Sequence, residues 1–497
     1  MFKNFPGYKL LERIQKNKSH KRERKLPLNA IKLIFIVAIT SIIALLPTES
    51  FGIEGLTVVH QRIISLFVFA ALMWLTEAMP SWVTSMIVVT IMLLTVSTSA
   101  FNFLRPEDGA GLVPFKSIMA CFANPTIMLF IGGFVLAIGL TKVKLDVALA
   151  RVLLKPFGTR SEIVLLGFIL VTAIFSAFVS NTATAAMMLA FLTPVLKSLP
   201  ADGKGRIALA LAIPVGANLG GMITPIGTPP NMIALDYLSS QGMGISFVDW
   251  TIKMAPFVIL LLLLSWLLLR VLFPFKQKHI KIEIEGDIKW DRHTWSVVAA
   301  FVITIFMWMF GTDLWGVDTN VVAMIPIAIF CATGILTRRD LEEINWSVLW
   351  MVAGGFALGV ALNYKDASSV SLSSLIVNTV PFDNFSPLVV MILAGIICFG
   401  FSNFISHSAA TSLLVPVLGV VAGGLGASLD SYGGPQAMLV GIAIASSVSM
   451  ILPISTPPNA IAHSTGFIEQ KDMMKVGIII GLMGLALGYA MLIFIGF

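Results

Sequence analysis

Apolar runs of about 20 residues recur along this chain from residue 29 to its C-terminus, and they restrict its fold more than any other feature. A run of that length crosses the hydrocarbon core of a bilayer as an α-helix. Hydrophobic residues make up 57% and charged residues 12% of the 497 positions, whereas roughly a quarter of an ordinary soluble domain is charged. The sequence therefore predicts an all-α polytopic membrane protein, surrounded by the lipid bilayer, with no separate soluble domain.

Hydropathy predicts about 11 transmembrane helices. They lie near residues 29–47, 61–79, 82–98, 126–141, 206–235, 252–274, 294–310, 317–336, 346–363, 434–462 and 473–496.

Two further apolar segments, at 162–198 and 384–421, each have about twice the length of one span. Each carries a polar cluster in its middle, SAFVSNTAT from residue 176 and SNFISHSAAT from residue 402. A segment of this length either crosses the membrane twice or enters and turns back. The polar clusters favour two re-entrant hairpins, because tips near the bilayer centre can meet other polar backbone.

The loop charges predict the topology. Lys and Arg are concentrated before the first helix and in alternate loops, while 236–250, 311–318 and 421–436 contain none. By the positive-inside rule the N-terminus is cytoplasmic and the C-terminus lies outside, in a cell or inner membrane. Because topology explains the basic residues, the net charge of +7 indicates no nucleic-acid partner.

Three sequence blocks occur twice in the same order. IGGFVLAIG at 131–139 matches AGGFALGVA at 353–361, SAFVSNTATAA matches SNFISHSAATS, and ITPIGTPPN matches ILPISTPPN. They describe a duplicated unit of five crossings and one hairpin. An odd number of crossings turns the second copy upside down, which is the inverted-repeat architecture of secondary transporters.

The repeats and the loop charges together divide the chain into five regions. These are a cytoplasmic basic tail (1–28), a first transmembrane helix and loop (29–58), inverted repeat 1 with its hairpin (59–275), a cytoplasmic linker (276–293) and inverted repeat 2 with its hairpin (294–497).

The repeated TPP motif predicts a broken helix in each unit. Pro225, Pro229 and Pro230 each remove a backbone donor, and Gly227 adds backbone freedom, so the span 206–235 is expected to unwind near its centre. The freed carbonyls need a partner other than lipid, and a bound cation or a cavity provides one.

The tip of each hairpin carries groups that suit both an ion and an anion. Ser180, Asn181 and Thr182 offer hydroxyl and amide oxygens, which are hard ligands suited to Na⁺. Thr182 and Ser408 stand where the second arm of each hairpin begins, and a helix N-terminus favours an anion. We therefore expect a cation and an anion to bind side by side.

These motifs, together with WLTEAMP at 74–80, resemble the divalent anion sodium symporter family, which carries Krebs-cycle dicarboxylates, citrate or sulfate. The resemblance covers nearly the whole chain after residue 29. It implies an elevator-type carrier that works as a homodimer, uses Na⁺ and needs no organic cofactor. A C4 dicarboxylate such as succinate or malate is the leading substrate, and citrate and sulfate remain alternatives.

The resemblance also implies the site residues, position by position. The first sodium site comprises Ser176, Ser180, Asn181 and the backbone of Gly227. The substrate site comprises Asn181, Thr182, His407, Ser408, Thr456 and Pro457. The second sodium site comprises Ser402, Ile405, His407 and the backbone of Ser455.

The second site departs from the family pattern, because Ser406, His407 and Ser408 replace the usual Ser-Asn-Thr or Ser-Asn-Val. An imidazole lacks an amide oxygen and is a poor Na⁺ ligand. One hypothesis is that His407 takes over part of the cation's role, which implies weaker sodium coupling, proton coupling or sodium-independent exchange of dicarboxylates. The alternative is a neutral polar residue with no coupling role.

Two other classes of protein are less favoured. An intramembrane hydrolase needs a nucleophile that faces a base, but Ser406 and His407 are sequence neighbours whose side chains need not face one another, so no enzyme is predicted. A cation/proton antiporter would favour carboxylates, and both hairpin centres lack them. Glu77 is expected to orient the helices at the interface, and Asp236 to be a solvated carboxylate at a helix end.

Overall fold

The computed structural model describes residues 26–107, 109–200, 203–280, 289–366 and 370–497. The predicted basic tail lies almost wholly outside these residues, and so does the middle of the predicted linker. Nine helices in the described chain are long and apolar enough to cross a membrane. They are Val58–Thr76, Phe115–Lys142, Ser161–Phe178, Phe247–Leu272, Arg292–Trp315, Trp346–Asn363, Pro387–Phe404, His407–Tyr432 and Gln470–Phe494.

Shorter helices complete the bundle, and the all-α membrane architecture is confirmed. Shorter apolar helices are Asn29–Leu45, Ser81–Thr95, Gly205–Gly220, Thr319–Ala332 and Gly434–Ser447. The other main helices are Leu145–Leu154, Asn181–Ser198, Pro229–Ser240, Leu372–Thr379 and Pro457–Ser464. The predicted single helix 317–336 is instead two short pieces, Thr319–Val322 and Met324–Ala332, which meet at Ala323.

Each long apolar segment forms two helical arms joined by a very short tip. The first hairpin consists of Ser161–Phe178 and Asn181–Ser198, and the second of Pro387–Phe404 and His407–Leu425. The turn follows from a serine N-cap, which satisfies a backbone N–H that the new helix leaves without a partner. The hydroxyl of Ser180 accepts from the N–H of the residue three positions on, at 3.2 Å, and the equivalent serine of the second hairpin does the same at 3.3 Å.

Both TPP segments break a helix, as the prolines predict. The first broken helix is Gly205–Gly220 followed by Pro229–Ser240, and the second is Gly434–Ser447 followed by Pro457–Ser464. Each second half begins with proline, which loses no hydrogen bond there because the first N–H groups of a helix have no partner within it.

An asparagine stabilises each break. The Nδ2 of Asn231 donates to the carbonyls of Gly221 at 3.1 Å and Thr224 at 2.9 Å. In the second break, the Nδ2 of Asn459 donates to the carbonyls of Met450 and Leu452, at 2.9 and 3.1 Å. These side chains replace hydrogen bonds that the unwound backbone has lost.

Packing divides the helices into two groups, which we call the site body and the frame. The site body contains both hairpins, both broken helices, Phe247–Leu272 and Gln470–Phe494. The frame contains Leu26–Leu45, Val58–Thr76, Ser81–Thr95, Pro125–Lys142, Arg292–Trp315, the helix pair within 319–332, and Trp346–Asn363.

An ion pair fixes one end of the frame. The Nζ of Lys142 donates to the Asp340 carboxylate at 2.5 Å, and the Thr337 hydroxyl donates to the same oxygen. Burial raises the pKa of Asp340, but the hydrogen bonds from Lys142 and Thr337 outweigh it and hold that pKa below its ordinary value. The carboxylate is therefore charged at neutral pH and joins helix Pro125–Lys142 to the segment that precedes Trp346–Asn363.

Candidate functional site

Both hairpin tips and both helix breaks meet at one open cavity of about 1630 Å³. Hairpin and break residues form one wall of it, so residues from the two halves of the sequence lie in the same site. They are Ser180, Asn181, Thr182, Ile226, Gly227, Thr228, Ser406, His407, Ser408, Ile454, Ser455, Thr456 and Pro457.

Residues of the frame form much of the remaining lining of the cavity. Phe130 and Phe134 line it from one frame helix, and Trp82 and Val348 from two others. Glu77 is the only acidic residue among the lining residues, and none of them is Lys or Arg. An anion in this cavity therefore has to be compensated by bound cations, by His407 or by helix N-termini.

The residues predicted for the first sodium site lie together. The Ser176 hydroxyl is 2.6 Å from Asn181 Oδ1 and 2.7 Å from the carbonyl oxygen of Ala217. A Cβ placed on Gly221 would lie 2.6 Å from Asn181 Oδ1 and 3.1 Å from the carbonyl oxygen of Gly227. Hydroxyl, amide and carbonyl oxygens thus converge on one small region, which is the donor set of a hard cation.

One polar atom beside this region has no partner. The Oδ1 of Asn231 is buried and accepts no hydrogen bond within the described part of the chain, while its Nδ2 donates to the carbonyl of Gly221. Buried oxygens without a donor are rare, and such an oxygen is free to bind a water or a cation.

The predicted substrate residues lie around the cavity at helix N-termini. Thr182 and Ser408 are in the first turns of the second hairpin arms, and Thr456 and Pro457 begin the second half of a broken helix. The N-termini of Asn181–Ser198, His407–Leu425, Pro229–Ser240 and Pro457–Ser464 all reach this cavity. Their partial positive charges suit an anion.

The second predicted sodium site is organised differently from the first. The His407 Nε2 donates to the carbonyl of Ser449 at 2.6 Å. Ser402 is fully buried and donates to Ser446 at 3.2 Å, and the Ser455 hydroxyl donates to the carbonyl of Asn403 at 3.0 Å. Ser402 resembles Ser176 in being fully buried, hydrogen-bonded to protein groups and outside the cavity lining, so the two sites differ at His407, which offers no amide oxygen.

Sequence reasoning missed the residue that joins the two breaks. The Nδ2 of Asn218, in the first broken helix, donates to Thr456 Oγ1 at 3.2 Å and Asn459 Oδ1 at 3.0 Å in the second. A lone asparagine in the apolar run ALALAIPVGANLG was the available signal, since buried amides in spans seek partners.

The other predicted polar residues have defined positions. Glu77 ends its helix in the left-handed conformation, with φ of 47°, and lines the cavity. Asp236 is half-buried and accepts a hydrogen bond from Thr126 at 2.9 Å, so it is not the freely solvated carboxylate expected.

Comparison with known proteins gives matches over nearly the whole chain. The sequence profile of the sodium:sulfate symporter transmembrane region matches residues 28–496. An uncharacterized transporter of Haemophilus influenzae is 30% identical over 469 residues, which are 91% of this chain and 94% of that protein. The sodium-dependent dicarboxylate transporter SdcS of Staphylococcus saprophyticus is 28% identical, over 85% of this chain and 83% of its own.

A solved structure has the same kind of fold. The crystal structure of the Alcanivorax borkumensis YdaH transporter superposes with a TM-score of 0.53, covering 86% of this chain and 97% of its own. The two sequences are only 12% identical, so the similarity concerns the fold alone.

Proposed function

Because this chain belongs to the sodium:sulfate symporter family, we propose that it is a secondary active transporter that carries a C4 dicarboxylate such as succinate or malate across the membrane. It is a transport protein and not an enzyme. One observation carries the proposal. Both hairpin tips and both helix breaks contribute to a single cavity that is lined by hydroxyls, amides and helix N-termini.

The chemistry of the cavity supports a cation-assisted carrier of anions. A dicarboxylate brings two negative charges to a cavity lined by no Lys or Arg. Sodium bound at Ser176, Asn181 and Gly227 would place a positive charge beside the hairpin tip that meets the substrate, with Ser180 closing the tip. Sodium and substrate would then bind together, because each lowers the electrostatic cost of the other.

His407 supports a second candidate, sodium-independent exchange. Its ring donates to Ser449 and occupies the place that matches Asn181 in the first half. The imidazole there would take the place of the second Na⁺, so one dicarboxylate could exchange for another without sodium.

The lining of the cavity and the name of one relative support a dicarboxylate as the substrate. Thr182 of one tip and Ser408 of the other lie on the same cavity, so two carboxylates can be held from two sides. A relative named as a sodium-dependent dicarboxylate transporter matches most of the chain. Citrate and sulfate are the alternative substrates.

Three lining residues of the cavity, Glu77, Ser81 and Asn345, lie in or beside loops that the charge pattern predicts to be cytoplasmic. We propose that this is an inward-open conformation, that the site body moves against the frame as an elevator, and that two chains join through their frames as a homodimer.

The test is substrate binding by the purified protein. Labelled succinate is measured in NaCl and in choline chloride, with unlabelled malate, citrate, sulfate and phosphate as competitors. We expect binding that sodium strengthens and that malate competes for best. Absence of binding for every one of these anions, in either salt, would contradict the proposed function.

A further inference from the structure

The repeated GGF motif contains one glycine that packs identically in both halves. A Cβ on Gly132 would lie 2.7 Å from the Cβ of Ala323, and a Cβ on Gly354 would lie 2.4 Å from the Cβ of Ser85. The Ser85 hydroxyl also donates to the carbonyl of Met351 at 3.1 Å. Each glycine therefore joins two helices of the frame at very short range, and the contacts of the two halves match.

The second glycine of the motif behaves differently in the two halves. A Cβ on Gly355 would lie 2.9 Å from the Cβ of Ser412, which belongs to the second arm of the second hairpin. No atom lies within 4 Å of a Cβ placed on its counterpart Gly133, which lines the open cavity. The asymmetry is thus confined to the glycine that faces the hairpins.

The hairpin faces show the same asymmetry. Ser412 and Ala186 occupy matching positions of the repeated block, as do Ala409 and Ala183. Ser412 and Ala186 are both buried, at 1% and 8% exposed, but nearer the tip Ala409 is 1% exposed whereas Ala183 is exposed. The second arm of the second hairpin packs on frame helix Trp346–Asn363, but the main contacts of the first hairpin's second arm are with other parts of the site body.

We propose that Gly133 is the docking position for the first hairpin, which places Ala186 against it when the cavity opens to the opposite side. In that conformation the contact between Gly355 and Ser412 separates. The inference rests on the proposed transport function, because a carrier must alternate between two openings. Inverted repeats make the two conformations near mirror images. The contact that the second half makes in the present conformation is therefore made by the first half in the other one.

The absence of a side chain explains why glycine stands at both positions. A large side chain at either one would hold the incoming hairpin away, since packed helices this close leave no room for it. A cysteine there only has to widen a contact such as the 2.9 Å one between Gly355 and Ser412 to the separation that a disulfide needs. Gly133 and Gly355 therefore act as positioning residues that set how closely each hairpin approaches the frame.

Disulfide trapping tests the inference without any transport assay. Cys121, Cys331 and Cys398 are first replaced by serine. The pair G355C/S412C then reports the present contact, and the pair G133C/A186C reports the proposed one. The pair G133C/T193C is the matched control, because Thr193 lies about 10 Å farther along the same arm.

Each variant is oxidised with copper phenanthroline in membranes, and free thiols are counted by the gel shift of a maleimide polymer. We expect the first two pairs to lose their free thiols and the control pair to keep them. A disulfide requires Cβ atoms about 3.5–4.5 Å apart, so cross-linking of G133C/A186C demands the proposed approach. A G133C/A186C pair that reacts no faster than the control, while G355C/S412C cross-links fully, would overturn the inference.

A second variant tests whether the two contacts exclude each other. Adding Gly355→Leu to the G133C/A186C pair blocks the present contact, and we expect the cross-linking rate to rise at least tenfold. An unchanged or slower rate would show that the contacts are not alternatives. Failure of succinate binding or uptake, with these cross-links intact, would count against the proposed function and leave the docking contact standing.

Discussion

At the scale of single residues, Asn181 and His407 stand at matching repeat positions and meet different partners. Asn181 presents its amide oxygen to the Ser176 hydroxyl at 2.6 Å, whereas His407 presents an N–H to the carbonyl of Ser449. The first half therefore has an amide oxygen at the proposed cation site, whereas the second half has an imidazole whose N–H is bound to backbone. The sequence alone shows the substitution, but not that the ring reaches a backbone carbonyl.

Ser176 and Ser402 give a matched pair of substitutions for the sodium site. We expect Ser176→Ala to weaken the sodium dependence of succinate binding by roughly tenfold, or ~1.4 kcal/mol, because one cation ligand is lost. Ser402→Ala should leave it almost unchanged, because the second half has an imidazole at His407 where the first half has the amide oxygen of Asn181. Sodium titrations of succinate binding measure both, and equal effects would mean that the two halves are equivalent.

His407→Asn restores the amide oxygen found in the first half. We expect succinate uptake to depend more steeply on sodium concentration in this variant, because a second cation can replace the ring N–H. His463→Asn is the control, since His463 lies at the far end of the second broken helix. Uptake by His407→Asn with unchanged sodium dependence and an unchanged pH profile would show that His407 has no coupling role.

At the scale of elements, the two broken helices were predictable because proline acts locally. Pro229 and Pro457 each begin a helix after an unwound stretch, which follows from a missing N–H and a fixed φ. The close approach of Gly132 to Ala323, where a turn joins Thr319–Val322 to Met324–Ala332, was not predictable, because it arises only in the packed molecule.

Gly227 offers a test of how tightly the first break is built. A Cβ at this position would lie 2.4 Å from the carbonyl oxygen of Gly221, so Gly227→Ala forces the break apart. We expect a loss of stability of about 1–3 kcal/mol, typical of overpacking, together with weaker sodium binding.

Thermal unfolding in detergent, with and without NaCl, measures this change. Gly400→Ala is the control, because nothing lies within 4 Å of its Cβ position. If both variants unfold at the same temperature as the unchanged protein and bind sodium equally well, the tight packing of the break is not important for the site.

At the scale of the whole molecule, the sequence predicted the repeats and the meeting of tips with breaks. These follow from apolar length, polar tips and the need to satisfy unwound backbone in a membrane. The link through Asn218 and the shape of the cavity were not predictable. They depend on which side chains face one another after packing, and the hydrophobic periodicity of the sequence does not indicate those contacts.

Counterflow in proteoliposomes tests directly whether this protein transports a C4 dicarboxylate. Vesicles loaded with unlabelled succinate are diluted into labelled succinate, in NaCl or in choline chloride, and the labelled substrate taken up is measured over time. We expect accumulation well above empty vesicles, strongest with sodium and abolished when malate saturates the outside. No accumulation of succinate or sulfate in either salt, by a correctly folded protein, would contradict the proposed function.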